Sequence, residues 1–241
     1  MPGSTRGTQI RLWINLFKQY SELEFTHKED RAVAIEGLMA RLTHAFRTQS
    51  SFGVFERFWG RCLLWQRTQK GPLRRIPLSK HTKKPCPSWS WMGVDGPIDF
   101  LEPEGGQVDW NPNVVLPFQS RTQGSQSALL QPNAQPRVIP NDNASGDAIL
   151  ATAFPFTAGA QNLRGLSREP SSRQKLVYDD TSDDQVKCVI VATTKDKKSH
   201  YVLLVSATSQ SHTAALHERV GVGYIWAGHI DHANGTRVAI G

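Results

Sequence analysis

The residues able to do chemistry are few and scattered. His217-Glu218 starts like a zinc-protease helix, but Gly221 stands where the second histidine belongs. His229-Ile230-Asp231-His232 offers two imidazoles three positions apart with a carboxylate between them, yet no third ligand follows at a matching spacing. His81 beside Cys86 is weaker still. Gly221-Val222-Gly223 opens like a dinucleotide loop, but Trp226 replaces the third glycine and the run lies inside a strand pattern. The pairs Asp179-Asp180 and Asp183-Asp184 sit in polar turn sequence and are expected to be solvated. General acid–base work requires a desolvated or charge-coupled carboxyl. No P-loop and no G-x-S-x-G elbow occurs. The reading is therefore no catalytic residue, no cofactor site and no metal site.

Charge is the next handle. The formal net charge is +7, and residues 66–84 (QRTQKGPLRRIPLSKHTKK) hold Arg67, Lys70, Arg74, Arg75, Lys80, Lys83 and Lys84 with no acid. That segment carries the whole excess. A basic patch invites a nucleic-acid reading, but Pro and Gly punctuate this one and no aromatics interleave it. A solvated loop is the expectation, with nucleic-acid binding through residues 66–84 kept as an alternative. Three cysteines far apart, Cys62, Cys86 and Cys188, fit reduced thiols rather than a disulfide frame. The N-terminus has no apolar core of a secretory signal, and no run of about 18 apolar residues spans a membrane. A cytoplasmic location is expected.

The elements that must position these residues fall into two parts, read as one domain over 1–241. Residues 8–61 are expected to be helical. Ile10, Trp13, Phe17 and Tyr20 share one face of a helix over 8–20. Thr26 and Glu29 form a capping box before Ile35, Leu38, Met39, Leu42 and Phe46. A third helix is expected over Val54–Arg61 with Phe55, Phe58 and Trp59 inward. Residues 62–241 are expected to be β-rich, with strands at 62–66, 88–92, 99–101, 114–118, 148–156, 186–194, 201–207, 218–227 and 236–240. Residues 119–147 read as a disordered insert and 159–175 as irregular. Helices in front and strands behind make the fold class α+β, with N-terminal helices packed on an antiparallel sandwich or open-barrel-like body.

Within PSWSWMGVDGP (87–97), strict alternation would place Trp89 and Trp91 on one face of a strand. Two indoles bury a large apolar area, so they are read as core, packed as a slab against small residues such as the trough left by Gly221 and Gly223.

RCLLWQR, PSWSWMGVDGPIDF and ERVGVGYIWAGHID together resemble the region that follows the HET domain in fungal heterokaryon-incompatibility proteins. That family carries an LLW segment, a proline-led SWSWASVDGP motif and a later ERVGVG strand, in this order. WINLFKQYSELEFTHKEDRAVAIEGLMARL is similar to the stretch after the HET domain proper. The resemblance covers roughly residues 10–118 and 185–241. Met92-Gly93 stands where Ala-Ser is usual, and no LSYVWG-bearing HET domain precedes residue 10. The family acts in non-self recognition. The resemblance implies a companion region standing without its HET domain, from a truncated gene or a short paralogue. Its role would be a non-enzymatic interaction or regulatory module whose partner is a HET-type effector. A cryptic hydrolase or metal enzyme using His217, His229, Asp231 and His232 is the last alternative.

Overall fold

The computed structural model describes residues 5–26, 30–68, 74–76, 86–117, 147–155, 175–179, 186–208 and 216–241. Two helices come first: α1 (Arg6–Ser21) and α2 (Asp30–Phe46). Thr5 caps α1, its hydroxyl accepting from the Thr8 N–H at 3.3 Å. Trp13 and Phe17 are fully buried and Ile35, Met39, Leu42 and Phe46 join them, as the spacing requires. The Glu29 half of the capping box lies outside the described residues.

A short hairpin follows, β1 (Ser50–Ser51) with β2 (Val54–Phe55). Its two-residue loop has Phe52 at φ 47° and Gly53 at φ 80°. Two left-handed residues are the geometry that matches strand twist in such a tight loop. This turn displaces the helix expected over Val54–Arg61. After a single 3-10 turn at Glu56–Phe58, the helix α3 runs only over Trp59–Leu63. Phe55 and Phe58 are nevertheless buried, and Trp59 is half-buried. The strand expected over 62–66 begins late, as β3 (Trp65–Arg67), paired with β6 (Ile98–Phe100). Between them, β4 (Arg74–Arg75) pairs with β5 (Val94–Asp95).

The β-rich body contains β7 (Val108–Trp110), β8 (Ile149–Pro155), β9 (Lys175–Tyr178), β10 (Lys187–Thr194), β11 (Ser199–Ala207), β12 (Leu216–Trp226) and β13 (Thr236–Ile240). The ring β11-β10-β8-β13-β12 closes on itself through β11–β12, with β9 added at β12 and β7 at β10. The α+β architecture is as expected, and the body is a closed barrel. Four pairings of the ring are antiparallel and the fifth, β12 with β13, is parallel. Parity demands this. An odd number of strands cannot alternate direction all the way round a ring, so one neighbouring pair must run the same way.

Val115 forms only an isolated bridge to Leu150 where a strand over 114–118 was expected. Residues 118–146 and 156–174, which contain all of the expected insert but Asp147 and most of the irregular stretch, lie outside the described residues. The helices dock on the VDGPID segment through two buried groups. The Arg31 guanidinium donates to the Ser21 and Gly96 carbonyls and lies 3.6 Å from Asp95. The Ser21 hydroxyl accepts from the Ile98 N–H at 2.9 Å.

Candidate functional site

PSWSWM is not a strand. The Ser90 N–H bonds back to the Pro87 carbonyl, and the Ser90 hydroxyl then accepts from the Met92 N–H. A turn and a 3-10 helix over Trp91–Gly93 result. Local side-chain capping by serine outweighs alternation here. Both indoles are fully buried, but they diverge. Trp91 packs on Phe17 of α1, with ring centroids 4.9 Å apart, and crosses Tyr20 at 6.2 Å. Trp89 meets Phe52 edge-on and donates its indole N–H to the Asp147 carbonyl. The small residue under Trp91 is Gly53, where a Cβ would come within 2.5 Å of the indole nitrogen. The trough at Gly221 is filled instead by the backbone of β9, since a Cβ there would lie 2.4 Å from the Val177 carbonyl oxygen.

The LLW segment, the PSWSW turn and the ERVGVG strand meet at one buried point, Arg219 of β12. Its guanidinium donates to Asp179 Oδ2 at 2.7 Å and to the Trp65 carbonyl at 2.5 Å. Its Cζ lies 3.4 Å from the centre of the Trp65 ring, a close cation–π contact. Its backbone N–H donates to the Ser88 hydroxyl at 2.8 Å. Trp65 in turn donates its indole N–H to the Trp89 carbonyl. One side chain thus joins the LLW segment, the PSWSW turn, the ERVGVG strand and the end of β9.

Asp179 is the opposite of the solvated carboxylate expected from its neighbours. It is buried because β9 pairs with β12 and its own N–H bonds the Val220 carbonyl, which turns it under Arg219. Asp180, Asp183 and Asp184 lie outside the described residues. Burial lowers the Arg219 pKa to about 10, and the Asp179 charge opposes that fall. Arg219 therefore remains a cation at neutral pH. A buried charge survives only with such compensation. Arg219 is fully buried and Asp179 nearly so, and the pair with its partners ties these segments together.

The histidine group resolves differently from its sequence spacing. Asp231 caps the short turn His232–Asn234, accepting from the Ala233 N–H and the Asn234 amide. His229 is half-buried and His232 is exposed, while His217 is buried on β12. Among the described residues no three His, Cys, Asp or Glu side chains are grouped to hold a metal ion. His81 lies outside the described residues. Burial raises the Cys86 thiol to about 11 and the Cys62 and Cys188 thiols to about 12, so all three are protonated and unreactive at neutral pH. Of the basic stretch, Arg74 and Arg75 are exposed on β4, with Arg75 3.9 Å from Glu218.

His200 escaped the sequence reading, although its place two residues before the inward Val202 carries the signal. It is buried, with Nδ1 2.9 Å from the Thr193 hydroxyl and its ring 5.5 Å from that of His232. Burial, aided by the nearby His232, lowers its pKa to about 4. The unfolded chain binds this proton near pH 6.5 and the folded chain only near pH 4, so stability falls as pH drops through that window. The loss attributable to His200 is about 3 kcal/mol at most. Urea unfolding at a series of pH values checks this: His200→Gln should be visibly less acid-sensitive than the parent between pH 6.5 and 4. Parallel pH curves for the two would contradict it.

No protein-family model, no curated protein and no solved structure matches the chain. No helix among the described residues is long and apolar enough to cross a membrane.

Proposed function

We propose that this chain is a non-enzymatic, cytoplasmic interaction module of the kind that follows a HET domain, and that it binds or restrains a HET-type effector in cis or in trans. The observation that carries the reading is the convergence on Arg219. The LLW, PSWSW and ERVGVG stretches through which the chain resembles the heterokaryon-incompatibility family are all committed to one buried junction. What resembles the family is therefore a scaffold, and recognition falls to the surface that the scaffold presents.

The test is association with a full-length HET-domain protein of the same fungal family. Light scattering after size-exclusion chromatography should show a complex of summed mass that neither component forms alone. Separate elution at micromolar concentrations of both would sink the reading.

A further inference from the structure

The start of α1, the 3-10 turn, α3 and β7 together line a small cleft. Its walls are Arg6, Arg57, Phe58, Trp59, Arg61 and Trp110, and its volume is about 40 Å³. A single water needs roughly 10–15 Å³ of such space, so the cleft is the size of one small oxyanion rather than of a whole metabolite. Three guanidiniums meet here. Arg6 and Arg57 lie over the Phe58 ring at 6.0 and 5.8 Å, and Arg61 lies over Trp110 at 5.8 Å. Among the described residues none of the three makes an ion pair with a carboxylate within 4.0 Å.

Two contacts hold the cations in place without neutralising them. Arg6 donates to the Arg57 carbonyl at 3.3 Å, and Arg57 donates to the Phe46 carbonyl at 3.2 Å. Each guanidinium carries five donors, so most of the set is left for a ligand. Partial burial disfavours the Arg61 cation most, Glu102 favours it, and the smaller effects of Arg6 and Tyr201 oppose each other. Arg6 and Arg57 are exposed and Arg61 is partly buried, so the guanidinium donors are open to an incoming anion. The floor is aromatic. Gly60 allows Trp110 to lie directly on the α3 backbone, where a Cβ would stand 2.1 Å from the indole. Trp59 crosses Trp110 at 6.0 Å, and both are partly buried, with some indole surface left at the cleft.

We infer that this cleft binds a phosphate monoester, with Arg6, Arg57 and Arg61 on the phosphate oxygens and the accessible edges of Trp59 and Trp110 against a planar group attached to it. Guanidinium forks match phosphate geometry, and indole faces accept a heterocycle. The site is independent of the interaction reading above and stands or falls separately.

Isothermal titration calorimetry of the full chain with inorganic phosphate, adenosine 5′-monophosphate and adenosine tests it. The nucleotide should bind more tightly than phosphate, and adenosine should give no heat. The double variant Arg57→Gln/Arg61→Gln should weaken nucleotide binding roughly ten- to hundredfold, the scale of lost charge-assisted hydrogen bonds. Arg6→Glu, a change at an exposed position, provides the same test if the double variant fails to fold; it should weaken binding at least about tenfold. No heat from either anion, or unchanged affinity in folded variants, overturns the assignment. Equal affinity for phosphate and nucleotide overturns its aromatic half.

Discussion

Arg219→Ala should cost about 3–5 kcal/mol of folding stability, the range for removing one partner of a buried ion pair. The margin of a typical domain is only about 5–15 kcal/mol, so this single change consumes a large part of it. The physical cause is double. The Asp179 carboxylate loses the cation 2.7 Å away while remaining buried, and the Trp65 carbonyl and ring lose their donor and stacking partner. Arg219→Lys should recover little, because an ammonium cannot reach a carboxylate, a carbonyl and an indole face together. A second change gives the sharper reading. Removing both charges, as Arg219→Met with Asp179→Leu, should be much milder than the sum of the two single changes, since no buried charge is then left alone. Urea unfolding followed by tryptophan fluorescence supplies the numbers. A loss below about 1 kcal/mol for Arg219→Ala, the level of a surface ion pair, would show that the junction does not hold the segments together.

The other large effect is expected at Trp91. Trp91→Ala should destabilise by about 3–5 kcal/mol through the cavity left between α1 and the PSWSW turn. The ring is fully buried against Phe17 and Tyr20, so little can collapse into the space. Gly53→Val approaches the same contact from the opposite side. Its side chain would collide with the indole and force φ 80° on a β-branched residue. Both variants should shift the urea midpoint in the same direction, and near-UV circular dichroism should report the lost indole packing. If Trp91→Ala unfolds at the parent's midpoint, the helices are not anchored through this ring.

The regular parts of the fold were legible because local periodicity and burial agree there. Trp13 and Phe17 on α1, and Ile35, Met39, Leu42 and Phe46 on α2, follow helical spacing and are all buried. The long strands β10, β11 and β12 read plainly from their β-branched runs. Misreadings arose where a single small side chain redirects the backbone. Ser90 caps a 3-10 turn and scatters two tryptophans that alternation would align. Phe52 and Gly53 make a hairpin loop that delays α3. The junction itself was illegible in part for a different reason. Asp179 looks like a turn residue in its own neighbourhood, and only the pairing of β9 with β12 brings it beneath Arg219. The arginine cleft draws on α1, the turn before α3, α3 itself and β7, positions too far apart for any spacing rule to unite.

The parity of the barrel has a consequence for how the chain comes together in time. β13 follows β12 in the chain, yet it lies between β8 and β12, joined antiparallel to one and parallel to the other. Until residues 236–240 are in place, β8 presents an open backbone edge over residues 149–153, and β12 lacks a partner on that side at Leu216 and His217, since β9 pairs it at 221–224. The Gly241 N–H then bonds the His217 carbonyl, and the Ser88 N–H bonds the Gly241 carbonyl. The fold therefore cannot close progressively behind the growing chain. The ring closes at one insertion event, and without β13 the edge of β8 is open to whatever neighbouring strand reaches it first.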